Sequence, residues 1–125
     1  MASPGAAPTR NTPKRGEIWR VNLDPTIGAE IKKIRPVIVI SSDAVGKLPL
    51  KLVVPITEWK AVFEANIWHV KLEATPGTGL TKASTADTLQ MRSVDTQRFV
   101  ERIGVLPADV LEEIATAIAA VVEYE

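Results

Sequence analysis

The hydrophobic period changes once along this chain, and the change separates a β region from a single helix. From Gly16 to Val105 apolar residues fall in short runs of period 2 broken by proline and glycine; from Pro107 they recur every four residues. In EIWRVNL, Trp19, Val21 and Leu23 share one face and Ile18, Arg20 and Asn22 the other, the pattern of a half-buried strand. Pro36 leads the β-branched run VIVIS, which suits a strand buried on both faces with its proline at the strand start. Lys51–Thr57 (KLVVPIT) predicts another strand, in which Pro55 marks a bulge or an edge. Ala65–Glu73 alternates again and sets Trp68, Val70 and Leu72 together. Short strands near Leu80–Ser84 and Asp87–Met91, a helical turn near Val94–Phe99 and a closing strand at Arg102–Val105 complete the expected sheet. Pro107 suits a first helical turn, and Val110, Ile114, Ile118 and Val122, with Leu111, Ala115 and Ala119, form one apolar stripe after it. The expectation is a mainly β protein: five to seven strands in a small, strongly bent antiparallel sheet or barrel, with a C-terminal α-helix packed on it.

The chain's 125 residues suit one domain. Residues 1–13 hold three prolines and almost no large apolar side chain, so they are expected to form a flexible tail before a single domain at 14–125. The absence of cysteine removes disulfides, thiolate nucleophiles and Cys-ligated metals. No apolar run approaches the roughly 20 residues of a membrane span, and the N-terminus lacks the apolar stretch of a secretory signal, so a soluble, cytoplasmic protein with no membrane partner is expected. The formal net charge of zero is uneven: Arg10, Lys14 and Arg15 make the start basic, while Asp109, Glu112, Glu113, Glu123 and Glu125 make the end acidic. Net charge therefore argues neither for nor against a nucleic-acid partner.

The enzyme templates are mostly excluded. A lone histidine, His69, lies on the face opposite Trp68 and Val70 and is expected to be solvated. One histidine and no cysteine rule out paired imidazoles and a cysteine nucleophile. No tight carboxylate cluster suggests a metal, and the string GTG at 77–79 reads as a turn. What remains is polar residues at strand ends. Arg35 stands between Lys32–Lys33 and the buried strand, where it could grip a phosphate bidentately or make a surface salt bridge. Thr57 could offer its hydroxyl to the same phosphate or merely favour β structure. Glu30 could act as a base or pair with a lysine, and Trp59 could stack on a nucleobase or be buried at a rim. Asp87, Gln90 and Arg92 form another polar group, in which alternation pairs Asp87 with Leu89 on one face and Gln90 with Arg92 on the other.

Read in order, the segments KRGEIWRVNLDPTIGAEIKKIRPVIVIS, VVPIT and LQMRSVDTQRFVERIGVL resemble the MazF/PemK/Kid family of toxin endoribonucleases, over about Lys14 to Val122. The resemblance implies an SH3-like antiparallel β-barrel with a C-terminal helix. It also implies a homodimer that cuts single-stranded RNA at short sequences with neither metal nor other cofactor. There the 2′-OH attacks the adjacent phosphorus, leaving a 2′,3′-cyclic phosphate and a 5′-OH. A cognate MazE-like antitoxin, whose flexible segment fills the RNA groove, is the implied partner. Position by position, the family's catalytic arginine falls on Arg35, its threonine on Thr57, its G-x-E glutamate on Glu30 and its glutamine on Gln90. Gly28, Lys32, Lys33, Trp59 and Gln90 are expected to contact RNA, and the loops 26–34 and 58–64 to set the cleavage sequence. Two departures matter: Ala29 replaces the serine of many members, and Leu89 replaces an acid proposed as a general base in some. Asp87, two residues earlier, or Glu30 could take that role, and the sequence leaves the base undetermined. A gyrase-poisoning toxin of the CcdB type is the rival reading, against which the terminal Val-Glu-Tyr-Glu counts; a non-catalytic RNA-binding barrel is the third.

Overall fold

The computed structural model describes residues 12–45 and 48–124. Of the expected tail, residues 1–11 lie outside this range; Pro13 is buried. The strands are β1 (Glu17–Asn22), β2 (Ile34–Val39), β3 (Leu50–Glu58), β4 (His69–Leu72), β5 (Ser84–Asp87), β6 (Arg92–Asp95) and β7 (Phe99–Val105), followed by the helix α1 (Ala108–Val121). They form one antiparallel sheet in the order β4-β5-β3-β2-β1-β7, with β6 also paired to β3. The sheet is not a closed barrel, because β4 and β7 end the path without pairing to each other among the described residues.

Both faces of the central strands are covered. On the helix side Ile18, Ile38, Val54, Ile56, Val70, Leu72 and Ala86 pack against Leu106, Ile114 and Ala117. On the other side Trp19, Val21, Leu23, Val37, Val39, Val53 and Val94 form a second layer, with Ile31 and Phe99 closing over it. Trp19 and Phe99 meet edge to face at 5.6 Å. The expected burial of Val37–Val39 on both faces holds. Ile18, expected on a solvated face, is also fully buried because the helix covers that side. Of the helical stripe, Ile114 is fully buried, while Val122 is 62% exposed beyond the helix end.

The prolines decide where the sheet opens. Pro36 is the third residue of β2 rather than its first. Ile40 N–H bonds the Leu52 carbonyl on the β3 side, so alternation points the Pro36 nitrogen toward β3 as well. The β2–β3 ladder accordingly ends at Val37↔Pro55. On its other edge β3 pairs with β6 over Leu50–Val53 and with β5 over Ile56–Glu58. Pro55 sits in the gap between them, where no ladder hydrogen bond is required of it.

The segment after β4 departs from simple alternation. The Asp87 carboxylate accepts the Leu89 N–H at 3.2 Å and opens a 3₁₀ turn, Thr88–Gln90, instead of a strand. Asp95 does the same for Gln97 at 2.8 Å, opening the turn Thr96–Arg98. The expected strand at Asp87–Met91 is thus a turn, and Asp87 and Leu89 do not share a face: Asp87 is buried while Leu89 is 57% exposed. The expected turn at 75–79 is present, tied by the Thr75 and Thr78 hydroxyls.

Candidate functional site

The β1–β2 loop is built by its own side chains. Ile27 N–H donates to Glu30 Oε1 at 2.8 Å and Glu30 N–H returns to the Ile27 carbonyl, making a tight turn. Gly28 takes a φ of +59° at its tip, a conformation that a side chain at this position would strain. The Asp24 carboxylate accepts from the Thr26 hydroxyl and from Lys33 N–H, and Leu23 N–H bonds the Lys33 carbonyl to close the loop.

Three side chains from the far end of the sequence then hold this loop to the sheet. Gln90 Oε1 accepts Ile31 N–H at 2.6 Å, and its Nε2 donates to the Ala29 carbonyl at 3.2 Å. Arg92 donates to the Leu23 carbonyl at 3.1 Å. Arg98 donates to the carbonyls of Asn22 and Asp24. Gln90 was identified from the sequence as an RNA contact; its amide is engaged with loop backbone. Arg98 had no sequence signal, since its partners are main-chain carbonyls more than 70 residues away. Glu30, Ala29, Ile31, Pro55 and Leu89 to Arg92 line an open cleft of about 510 Å³.

Arg35 and Thr57 lie where β2 and β3 part. Continuing the Val37↔Pro55 register by two residues sets them opposite each other on one sheet face. Arg35 Nε donates to the Lys32 carbonyl at 3.2 Å, which anchors the guanidinium at the loop. Among the described residues no carboxylate is within ion-pair distance of it. The surface salt bridge weighed for Arg35 is thus absent there. Lys32 and Lys33 flank it, both exposed. The result is an arginine with free donors and a half-buried hydroxyl at an open mouth, beside a cleft bearing one carboxylate.

Asp87 and His69 are paired across β5 and β4 on this same face, each two residues along from Thr85 and Lys71, the pair beside Thr57. His69 is not solvated: its side chain is 6% exposed, and Phe63 stacks on it at 4.1 Å and 10°. Alternation assigned its face correctly, but the 3₁₀ turn Ala61–Ala65 folds Phe63 over it. Asn66 Nδ2 lies 3.2 Å from His69 Nδ1; with the amide as donor, the ring's Nε2–H faces Asp87 Oδ2 at 3.7 Å. Asp87 thus has one oxygen on the Leu89 N–H and the other toward His69. Trp59 is half-buried, edge to face with Phe63 at 6.2 Å. Among the described residues no three His, Asp or Glu side chains converge to hold a metal.

A family model described as PemK-like, MazF-like toxin of type II toxin–antitoxin system matches residues 14–122, and the chain belongs to that family. The chain is 35% identical over 111 residues to Endoribonuclease MazF9 of Mycobacterium tuberculosis, covering 84% of this chain and 92% of that protein. It is similar to the crystal structure of MazF (Form-I) from Deinococcus radiodurans, with a TM-score of 0.72, 25% identity and coverage of 89% and 96%. It is also similar to a MazF in the MazE–MazF (Form-II) structure from the same organism, at TM-score 0.69, 26% identity and coverage of 90% and 97%.

Proposed function

We propose that this protein is the toxin of a toxin–antitoxin pair and an endoribonuclease that cuts single-stranded RNA through its own 2′-OH, without a metal or other cofactor. The observation that carries the reading is the Arg35–Thr57 mouth: a guanidinium with no carboxylate partner among the described residues, opposite a hydroxyl, in a family whose curated relatives are named endoribonucleases. The 2′-oxygen, its proton passing to a base, attacks the adjacent phosphorus as the bond to the 5′-oxygen breaks. The leaving 5′-oxygen takes a proton from solvent, giving a 2′,3′-cyclic phosphate and a 5′-OH. Arg35 stabilises charge growing on the non-bridging oxygens and Thr57 donates to one of them, each contributing roughly 3–4 kcal/mol. Because a guanidinium gives up its proton reluctantly, Arg35 serves as a charge stabiliser more than as a proton donor. Of the two candidate bases we favour Glu30, which lines the open cleft, over Asp87, whose oxygens are occupied. Glu30 Oε1 holds the Ile27 N–H, which leaves Oε2 to take the 2′-proton.

Gly28, Lys32 and Lys33 border the RNA path, the lysines meeting its phosphates. Gln90 acts here by holding the loop. The partners are a second copy of the chain and a MazE-like antitoxin whose flexible segment occupies the groove RNA would take. No helix of the described residues is long and apolar enough to cross a membrane, and the site of action proposed is the cytoplasm.

The test is incubation of the purified protein with long single-stranded RNA in EDTA, with both fragment ends mapped. Discrete cuts bearing 5′-OH and cyclic-phosphate ends are expected. Cleavage that EDTA abolishes, or fragments with 5′-phosphates, would exclude the mechanism.

A further inference from the structure

One row of side chains on the face shared by Arg35 and Thr57 is not used by the reaction. Thr57 pairs with Thr85, and Thr85 pairs with Lys71, so these residues cross β3, β5 and β4 on a single sheet face. Trp59 follows Thr57 by two residues, and its N–H bonds the Ala83 carbonyl, which extends the β3–β5 pairing and keeps Trp59 on that face. Lys71 Nζ lies 5.2 Å from the centre of the Trp59 ring. Among the described residues Lys71 has no carboxylate partner, so its charge is directed at the indole alone.

The indole is also held in place. Phe63 meets it edge to face, His69 lies flat against Phe63, and His69 is itself fixed by Asn66 and Asp87. Trp59 therefore stands at the outer end of an aromatic stack rooted in a buried polar pair. A side chain already ordered loses little conformational entropy when a planar ligand stacks on it. Alternate residues of a strand are about 7 Å apart, so Trp59 lies roughly one extended nucleotide beyond Thr57.

We propose that Trp59 and Lys71 form a nucleotide subsite next to the scissile phosphate. The indole stacks on one base of single-stranded RNA, and the Lys71 ammonium swings from the ring to the phosphate of that nucleotide. The RNA then runs from Arg35 across β3 toward the β4 edge. The subsite rests on the endoribonuclease reading. It adds to that reading a direction for the strand and a sequence-tolerant grip on it, since every base has a π-face.

The test uses a 12-nucleotide RNA that carries the mapped cut sequence, fully 2′-O-methylated so that it cannot be cleaved. Its binding to the full-length protein is followed by tryptophan fluorescence and by titration at several salt concentrations. Trp59→Ala should raise Kd about ten- to hundred-fold, whereas Trp59→Phe should retain most of the affinity but lose the fluorescence quench. Lys71→Gln, an exposed substitution that tests the subsite even if Trp59→Ala misfolds, should flatten the salt slope by about 0.7. Wild-type affinity, quench and salt slope in these variants, while the wild-type protein cleaves RNA, would overturn the subsite and leave the cleavage reading standing. A wild-type protein that neither binds nor cuts RNA would overturn both.

Discussion

Pro36 and Pro55 withhold N–H groups at the two places where β3 changes or loses a neighbour, and the openings they leave border the mouth and the cleft. Gln90 shows how one side chain can link distant segments: with both ends of its amide on loop backbone, it ties Glu30's loop to the 3₁₀ turn after β5. Gln90→Ala should lower cleavage at least tenfold while costing about 1–3 kcal/mol of stability, read from kcat/KM beside a urea melt. His69→Ala removes both the flat partner of Phe63 and the group facing Asp87, and should cost about 2–3 kcal/mol. His69→Gln, which keeps a donor, should recover part of that loss. Equal melts for His69→Ala and wild type would mean that the pair contributes nothing to the fold.

At the scale of elements, β1, β2, β3 and α1 were legible because their periodicity is long and each buries a continuous face. The stretch from 80 to 91 was not, because its course is set by single side-chain-to-backbone bonds. The Asp87 bond to Leu89 N–H turns the expected strand after Asp87 into the turn Thr88–Gln90, which period counting does not register. The Asp95 bond to Gln97 N–H, by contrast, opens Thr96–Arg98 inside the helical turn expected near Val94–Phe99. His69 failed for a related reason, since its covering residue comes from a turn six positions earlier. Arg35, Thr57, Glu30 and Gln90 were singled out as polar residues near strand ends and then by the family resemblance, whereas the placements of Lys71 and Arg98 depend on neighbours distant along the chain. The turn before β5 gives a sharp test of the backbone packing. Gly79 has a φ of +71°, and a Cβ there would lie 2.0 Å from the Ile103 carbonyl oxygen. Gly79→Ala should destabilise by at least about 2 kcal/mol in a urea melt. Ile114→Ala, which empties the centre of the helix–sheet core, should cost about 2–5 kcal/mol.

For the molecule as a whole, zero net charge conceals a basic start, a basic mouth around Arg35 and an acidic helix. RNA should therefore be attracted locally, and cleavage at subsaturating RNA should fall steeply as salt rises, by about 0.7 in log–log slope for each phosphate neutralised. A salt-independent kcat/KM would argue against phosphate recognition at the mouth. Light scattering should give twice the 13.6 kDa chain mass for the proposed dimer.

Cleavage of single-stranded RNA in EDTA by wild-type and Arg35→Ala proteins of matched fold tests the central assignment most directly. With wild-type circular dichroism and oligomeric mass, Arg35→Ala should cut at least about 10²–10³-fold more slowly. An Arg35→Ala protein that cuts at the wild-type rate and leaves the same ends would contradict the account.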